Sequence, residues 1–309
     1  MSLVAKLVLA GGLLLAAAFV WAWLRLERRH ASPVSVADRH SRPTAGGVLL
    51  GAVTNFFDTL GIGSFASTTA YLKFRRLVGD ELIPGTLNVG HAIPTITQAI
   101  IFTTAIAVAP LTLVSMVAAA VAGAYLGAGI VARLPRRGVQ LGMGVALLVA
   151  AALFTMKIVG VLPAGGAALG LSGGVLVFAV LANFVLGALM SLGIGLYAPC
   201  LMLVSLLGMN PIAAFPIMMA SCACLMPVGS LEFIRERKYD RATAIGLAIG
   251  GIPGVLVAAF IVKSLPLQWL YWLVVVVVLY AAVLMLRSAL RSTPPGALPA
   301  TDTLEPPRD

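Results

Sequence analysis

The chain has 309 residues, 60% of them hydrophobic and 10% charged, with a net charge of +10 and a mean hydropathy of +1.03. So much apolar surface on a chain of this size excludes a soluble globular domain and predicts several runs near the roughly 20 residues that cross a bilayer core. Lys and Arg fall in short clusters between these runs, with no continuous basic face, so they read as topology signals and no nucleic-acid partner is expected.

The first apolar run, residues 3–24, is followed by Arg25, Arg28, Arg29 and His30, and no small-residue cleavage site precedes the charges. It reads as an uncleaved transmembrane helix, and with its basic loop it makes a first unit, residues 1–43. A first repeat, residues 44–160, offers segments near 46–72, 84–108, 111–133 and 139–159. A second, residues 161–290, offers segments near 174–207, 211–233, 243–263 and 268–287. The proline-rich remainder, residues 291–309, is expected to be disordered. Cys200, Cys222 and Cys224 are odd in number and lie in apolar sequence, which argues against a secreted disulfide framework.

The division into repeats rests on Leu60-Gly61-Ile62-Gly63, which returns as Leu192-Gly193-Ile194-Gly195. Pro94 and Pro227, and Pro135 and Pro266, keep the same offset to within one residue. Doubling of this kind, with a glycine-interrupted apolar segment at the same place in each half, predicts an all-α transporter whose site lies between the halves. Charge at the joints alternates in the opposite sense in the two halves. Lys73, Arg75 and Arg76 answer to the uncharged Gly208-Met209-Asn210-Pro211, whereas the uncharged Ala109-Pro110 answers to Arg235, Arg237, Lys238 and Arg241. If basic loops stay inside, the repeats are inverted relative to each other. The basic loops on both sides of residues 46–72 then fit a re-entrant hairpin broken at Asp58 to Ser64, and a plain crossing by a kinked helix stands equally beside it.

Broken backbone at membrane depth requires surrounding protein or a water-filled cavity. After the first break, Ser64, Ser67, Thr68 and Thr69 follow Gly61 and Gly63, so a half-helix starting there offers free N–H groups, a positive dipole end and hydroxyls to an anion. Gly193, Gly195 and Tyr197 are the counterparts at the second break. Small residues that merely let helices pack closely are the competing explanation. Asn88 and His91 share a helical face by their i, i+3 spacing, near Thr86, Thr95, Thr97 and Gln98. Asp58, preceded by Thr54 and Asn55, and His91 are the intramembrane ionisable residues, a candidate proton-accepting pair. The second repeat has Met190 in place of Asp58, so such a pair is not duplicated. Ser64 with His91 lacks any nucleophile motif, Cys222 and Cys224 diverge on a helix, and no nucleotide fingerprint is present. No enzyme activity, metal or cofactor is therefore expected.

The second half carries a more specific pattern: Leu192-Gly193-Ile194-Gly195, Gly208-Met209-Asn210-Pro211, Ala220-Ser221 before Pro227, the charged stretch Glu232 to Arg241, and Gly250 to Pro266 before an apolar last span. It resembles the TauE/SafE family of sulfite and organosulfonate exporters, also called TSUP or DUF81 permeases, over about residues 46–288. The resemblance implies a permease of the bacterial inner membrane, built from two related halves, that moves small sulfur-containing anions, and it adds Ser221 to the candidate site. The first half departs from the family's usual glycine run, and the extra N-terminal span is also a departure. The expected partners are a small anionic substrate and the bilayer, with a homodimer left open. Protonation of Asp58 or His91 would make the cavity more positive and admit the anion. A thiosulfate permease with Cys200 or Cys222 as a soft contact, or an anion channel, is the alternative.

Overall fold

A computed structural model of the chain describes residues 3–29, 42–131, 136–159, 166–190, 196–264 and 267–291. Gly193, Gly195 and the tail expected to be disordered lie outside the described residues. The helices are α1 (Leu3–Arg29), α2 (Ala45–Thr59), α3 (Ser64–Arg75), α4 (Ile83–Ala105), α5 (Pro110–Val131), α6 (Arg136–Ile158), α7 (Gly173–Met190), α8 (Tyr197–Leu206), α9 (Ala214–Arg235), α10 (Arg241–Ser264) and α11 (Leu267–Arg291). Among the described residues the only β pairing is an isolated bridge between Ala168 and Met209. Five helices, α1, α7, α9, α10 and α11, are long and apolar enough to cross a membrane. The chain is an all-α, multi-pass membrane protein.

Each segment read as a span has its helix, and the two longest hold two helices each. The segment 46–72 is α2 and α3, separated by Leu60–Gly63, where Gly61 (φ 95°) and Gly63 (φ 87°) occupy backbone regions that a side chain would resist. The segment 174–207 is α7 and α8. With 15 residues at about 1.5 Å each, α2 is about 22 Å long, short of the roughly 30 Å hydrocarbon core. It starts on Thr44, whose side chain accepts from the Gly47 amide, the usual service of an N-cap threonine.

Contacts at the helix ends sort the joints into two groups. At one end, Arg241 pairs with Glu27 at 2.9 Å, the Asp240 amide donates to Thr86 Oγ1, and Leu72 packs with Leu50, Val78 and Ile83. At the other, the Ala109 amide donates to Leu169 O and the Asn210 amide to Ala168 O. Helix α4 runs from the first group to the second, so these are opposite ends of the molecule. The hairpin of α2 and α3 therefore starts and finishes at the end that carries the basic clusters, and that of α7 and α8 at the opposite end.

Two close helix crossings hold the hairpins. A Cβ on Gly51 would press on Leu247 O, and one on Gly250 would run into Val48 O, so α2 and α10 touch backbone to backbone. Helices α5 and α7 do the same: Gly187 lies against Ala120 O and Gly123 against Phe184 O. The sequence spacing from 51 to 187 equals that from 48 to 184, and 120 to 247 equals 123 to 250, so the second crossing has the register of the first. Small residues at such contacts give tight packing where lipid supplies no hydrophobic drive between helices.

Helix α1 is attached outside this arrangement. Trp23 Nε1 donates to the Tyr239 hydroxyl at 2.8 Å, and Tyr239 in turn donates to Glu27. Burial first, then that bond to the Glu27 carboxylate, pushes the Tyr239 hydroxyl well above its ordinary pKa, so it remains a donor.

Candidate functional site

The first break ends in a capped helix with an unusual cap. Gly63, at the N-cap position of α3, has no side chain to offer, and the carboxylate of Asp58 takes its place. Asp58 Oδ1 accepts from the Ser64 amide at 2.6 Å. A negative group at a helix N-terminus meets unpaired N–H groups and the positive end of the dipole. The place that the sequence reading gives to a substrate anion is thus taken by the protein's own carboxylate.

Gln98, on α4, ties this group to the other half of the chain. Its Nε2 donates to Asp58 Oδ2 at 2.9 Å and to Thr59 Oγ1 at 3.0 Å. Its Oε1 accepts from the Tyr197 hydroxyl at 2.9 Å. Tyr197 is the first residue of α8, so one fully buried amide joins the end of α2, and through Asp58 the start of α3, to the start of α8. Thr59 spends its own proton on Asn55 O, which leaves its oxygen free to accept from Gln98.

A second buried cluster lies beside the first. Asn55 Nδ2 donates to Gly51 O at 2.8 Å, which turns Asn55 Oδ1 toward His91 Nδ1, 3.1 Å away. Because that oxygen only accepts, Nδ1 carries a proton, and Nε2 meets Thr68 Oγ1 at 3.1 Å. A neutral imidazole satisfies both contacts, with Thr68 as donor. The proton-accepting pair of Asp58 and His91 expected from the sequence is not formed: Asp58 is bound to Ser64 and Gln98, and His91 to Asn55 and Thr68. His91 joins α2, α3 and α4, a scaffolding position.

The first break, the end of α7 and the start of α8 border a cavity of about 200 Å³. Asp58, Gly63, Ser64 and Phe65 form one wall and Leu196, Tyr197 and Ala198 another, while Met190, Cys222, Met226 and Met285 bring sulfur to the lining. Gln140 and Ser288 also line it, at the start of α6 and the end of α11. Asp58 is the only charged residue among the described residues that line it.

Of the other residues singled out in the sequence, Gly61 lies at the break, with Val277 and Met218 as its neighbours. Thr54 is buried and donates back to Leu50 O, and Ser67 donates to Ser64 O. Ser221 is buried and spends its hydroxyl on Ile217 O, one turn back along α9. Asn88 is half-buried and donates to Pro84 O; the expected joint presentation of Asn88 and His91 is not found, since His91 is buried against α2 and α3. Gln98 enters the sequence reading only as a polar neighbour of Asn88 and His91, with no role of its own. It lies seven positions after His91, two turns along one face of α4, and that spacing is the signal that marks it.

No curated protein and no solved structure matches the chain. Residues 160–307 match the family described as "Sulfite exporter TauE/SafE". The match falls on the half in which the sequence pattern is clearest, and over those residues this multi-pass membrane protein is similar to the exporter-type transporters of the TauE/SafE family.

Proposed function

We propose that the chain is a proton-coupled secondary carrier of small sulfur-containing anions, such as sulfite or organosulfonates, in a bacterial inner membrane. The substrate occupies the cavity between the two broken hairpins, and the halves are inverted repeats with the basic end inside. The observation that carries this reading is the bridge from Asp58 through Gln98 to Tyr197, which couples the two half-helices across the cavity. The equal register of the two glycine crossings supports the repeat, and the basic clusters at one end support its orientation.

The charge on Asp58 sets the coupling. An anion about 5 Å from an ionised carboxylate meets a repulsion of about 3 kcal/mol at an effective dielectric constant of about 20. Among the described residues the cavity lining supplies no Lys or Arg to offset it. Protonation of Asp58 removes that repulsion and leaves the half-helix N-termini, Ser64 and Tyr197 as the polar groups facing the anion. Proton release restores the repulsion and expels it. Asp58, which lines the cavity as His91 does not, therefore carries the proton.

Counterflow in proteoliposomes tests the reading. Preloaded sulfite should accelerate uptake of labelled sulfite, with saturation, and an imposed proton gradient should drive accumulation. Flux that neither saturates nor responds to preloading would point to a channel.

A further inference from the structure

The cavity has a second chemical character that the anion reading does not use. Its lining holds the thioethers of Met190, Met226 and Met285 and the thiol of Cys222. Cys222 and Met226 are one turn apart on α9 and so share a face. Met190 closes α7 from the other side, its Sδ 3.7 Å from Cys222 Sγ. Two sulfur ligands held about 2.3 Å from one ion at roughly the tetrahedral angle stand about 3.8 Å apart, so this pair is spaced for a shared ion. Met226 Sδ accepts from Thr95 Oγ1 at 3.5 Å, which holds the third sulfur in place.

Methionine is often only a gap filler, and α9 itself shows the contrast. Met218 and Met219 are fully enclosed in the packed core and do not line the cavity, whereas Met226 and Cys222 do. The donor set also selects the ion. No group of three His, Cys, Asp or Glu residues occurs among the described residues, which leaves zinc and the harder divalent ions without a ligand shell. Thioether and thiolate sulfur favours soft ions such as Cu(I). Asp58, the one charge in the lining, has the sign that tolerates a cation.

We propose that this cavity binds a single soft monovalent metal ion, Cu(I) or Ag(I), through Cys222 Sγ and the thioether sulfurs of Met190 and Met226. On binding, the S–H bond of Cys222 breaks, its proton leaves to water, and the thiolate pair forms the bond to the metal, with no change of oxidation state. The site stands on the sulfur geometry alone and does not depend on the anion reading.

The test is Cu(I) titration of the full-length protein in nanodiscs under anaerobic conditions, free of sulfite, against a chromophoric Cu(I) chelator. Metal content and the X-ray absorption edge are read on the same samples. The expected result is one Cu(I) per chain in an all-sulfur shell. Cys222→Ser and the near-isosteric Met190→Leu should each weaken binding at least tenfold, and Cys224→Ser, outside the lining, should leave it unchanged. Monodisperse elution and an unchanged melting temperature identify variants that remain folded. Absence of stoichiometric Cu(I) in folded wild-type protein, wild-type affinity in a folded Cys222→Ser, Met190→Leu double variant, or equal loss in Cys224→Ser would each overturn the proposal. Sulfite counterflow is measured separately, so failure of either reading leaves the other standing.

Discussion

Replacing Gln98 with leucine, a side chain of similar size, removes three hydrogen bonds where the two hairpins meet without leaving a large void. Asp58 Oδ2 loses a donor at 2.9 Å and the Tyr197 hydroxyl an acceptor at 2.9 Å. Both residues are buried, and an unsatisfied buried polar group costs about 1–3 kcal/mol. The two together disfavour the observed arrangement by about 2–6 kcal/mol. At about 1.4 kcal/mol per tenfold change, even the lower figure shifts its population by about 30-fold relative to arrangements that do not use the bridge. Cys222, buried in the cavity wall, is a native reporter of that shift. In a Cys200→Ser, Cys224→Ser background, a small permeant thiol reagent should label Cys222 at least tenfold faster in Gln98→Leu than in the parent, and proton-driven uptake should fall. Parental labelling and uptake rates in a correctly inserted Gln98→Leu protein would refute the idea that this amide couples the two halves.

Three further outcomes follow from the same geometry. Asp58→Asn keeps an acceptor for the Ser64 amide but sets an amide donor opposite Gln98 Nε2; it should abolish proton-driven accumulation while leaving insertion intact, and accumulation at the wild-type level would remove Asp58 from the coupling. Gly250→Ala, which drives a methyl into Val48 O, should cost about 1–3 kcal/mol of stability, whereas Gly229→Ala, with nothing within 4 Å of the new methyl, should be neutral or slightly stabilising by helix propensity; equal melting temperatures would contradict the close α2–α10 crossing. Single cysteines at Ala109 and Asn210 should be labelled from one face of the membrane and those at Arg137 and Lys238 from the other, and labelling of Arg137 and Asn210 from the same face would contradict the inversion.

The helical segments were legible because apolar length and proline or glycine interruptions are local properties of the chain. Their boundaries agree to within a few residues, from α4 at 83–105 against 84–108 to α10 at 241–264 against 243–263. The first break was legible for the same reason, since Gly61 and Gly63 are needed where the backbone turns to positive φ. Partners were not. Asp58 and His91 attract attention as the ionisable residues of apolar segments, but sequence does not say that Asp58 folds back six residues to Ser64 or that Asn55 claims His91. Gln98, uncharged, gave no comparable signal, although its position on the His91 face of α4 placed it at the junction. The methionine and cysteine lining was likewise hidden, because Met190 and Cys222 come from different helices and only the packing of α7 beside α9 joins them.

The bond from Asp58 to the start of α3 also bears on what a solute meets at that helix end. A carboxylate tethered within the same hairpin is present at its site at an effective concentration that a dissolved anion does not approach. At the same offset in the second half stands Met190, which carries no charge. The start of α3 is thus filled from within the chain, and a dissolved anion reaches it only where Asp58 gives it up.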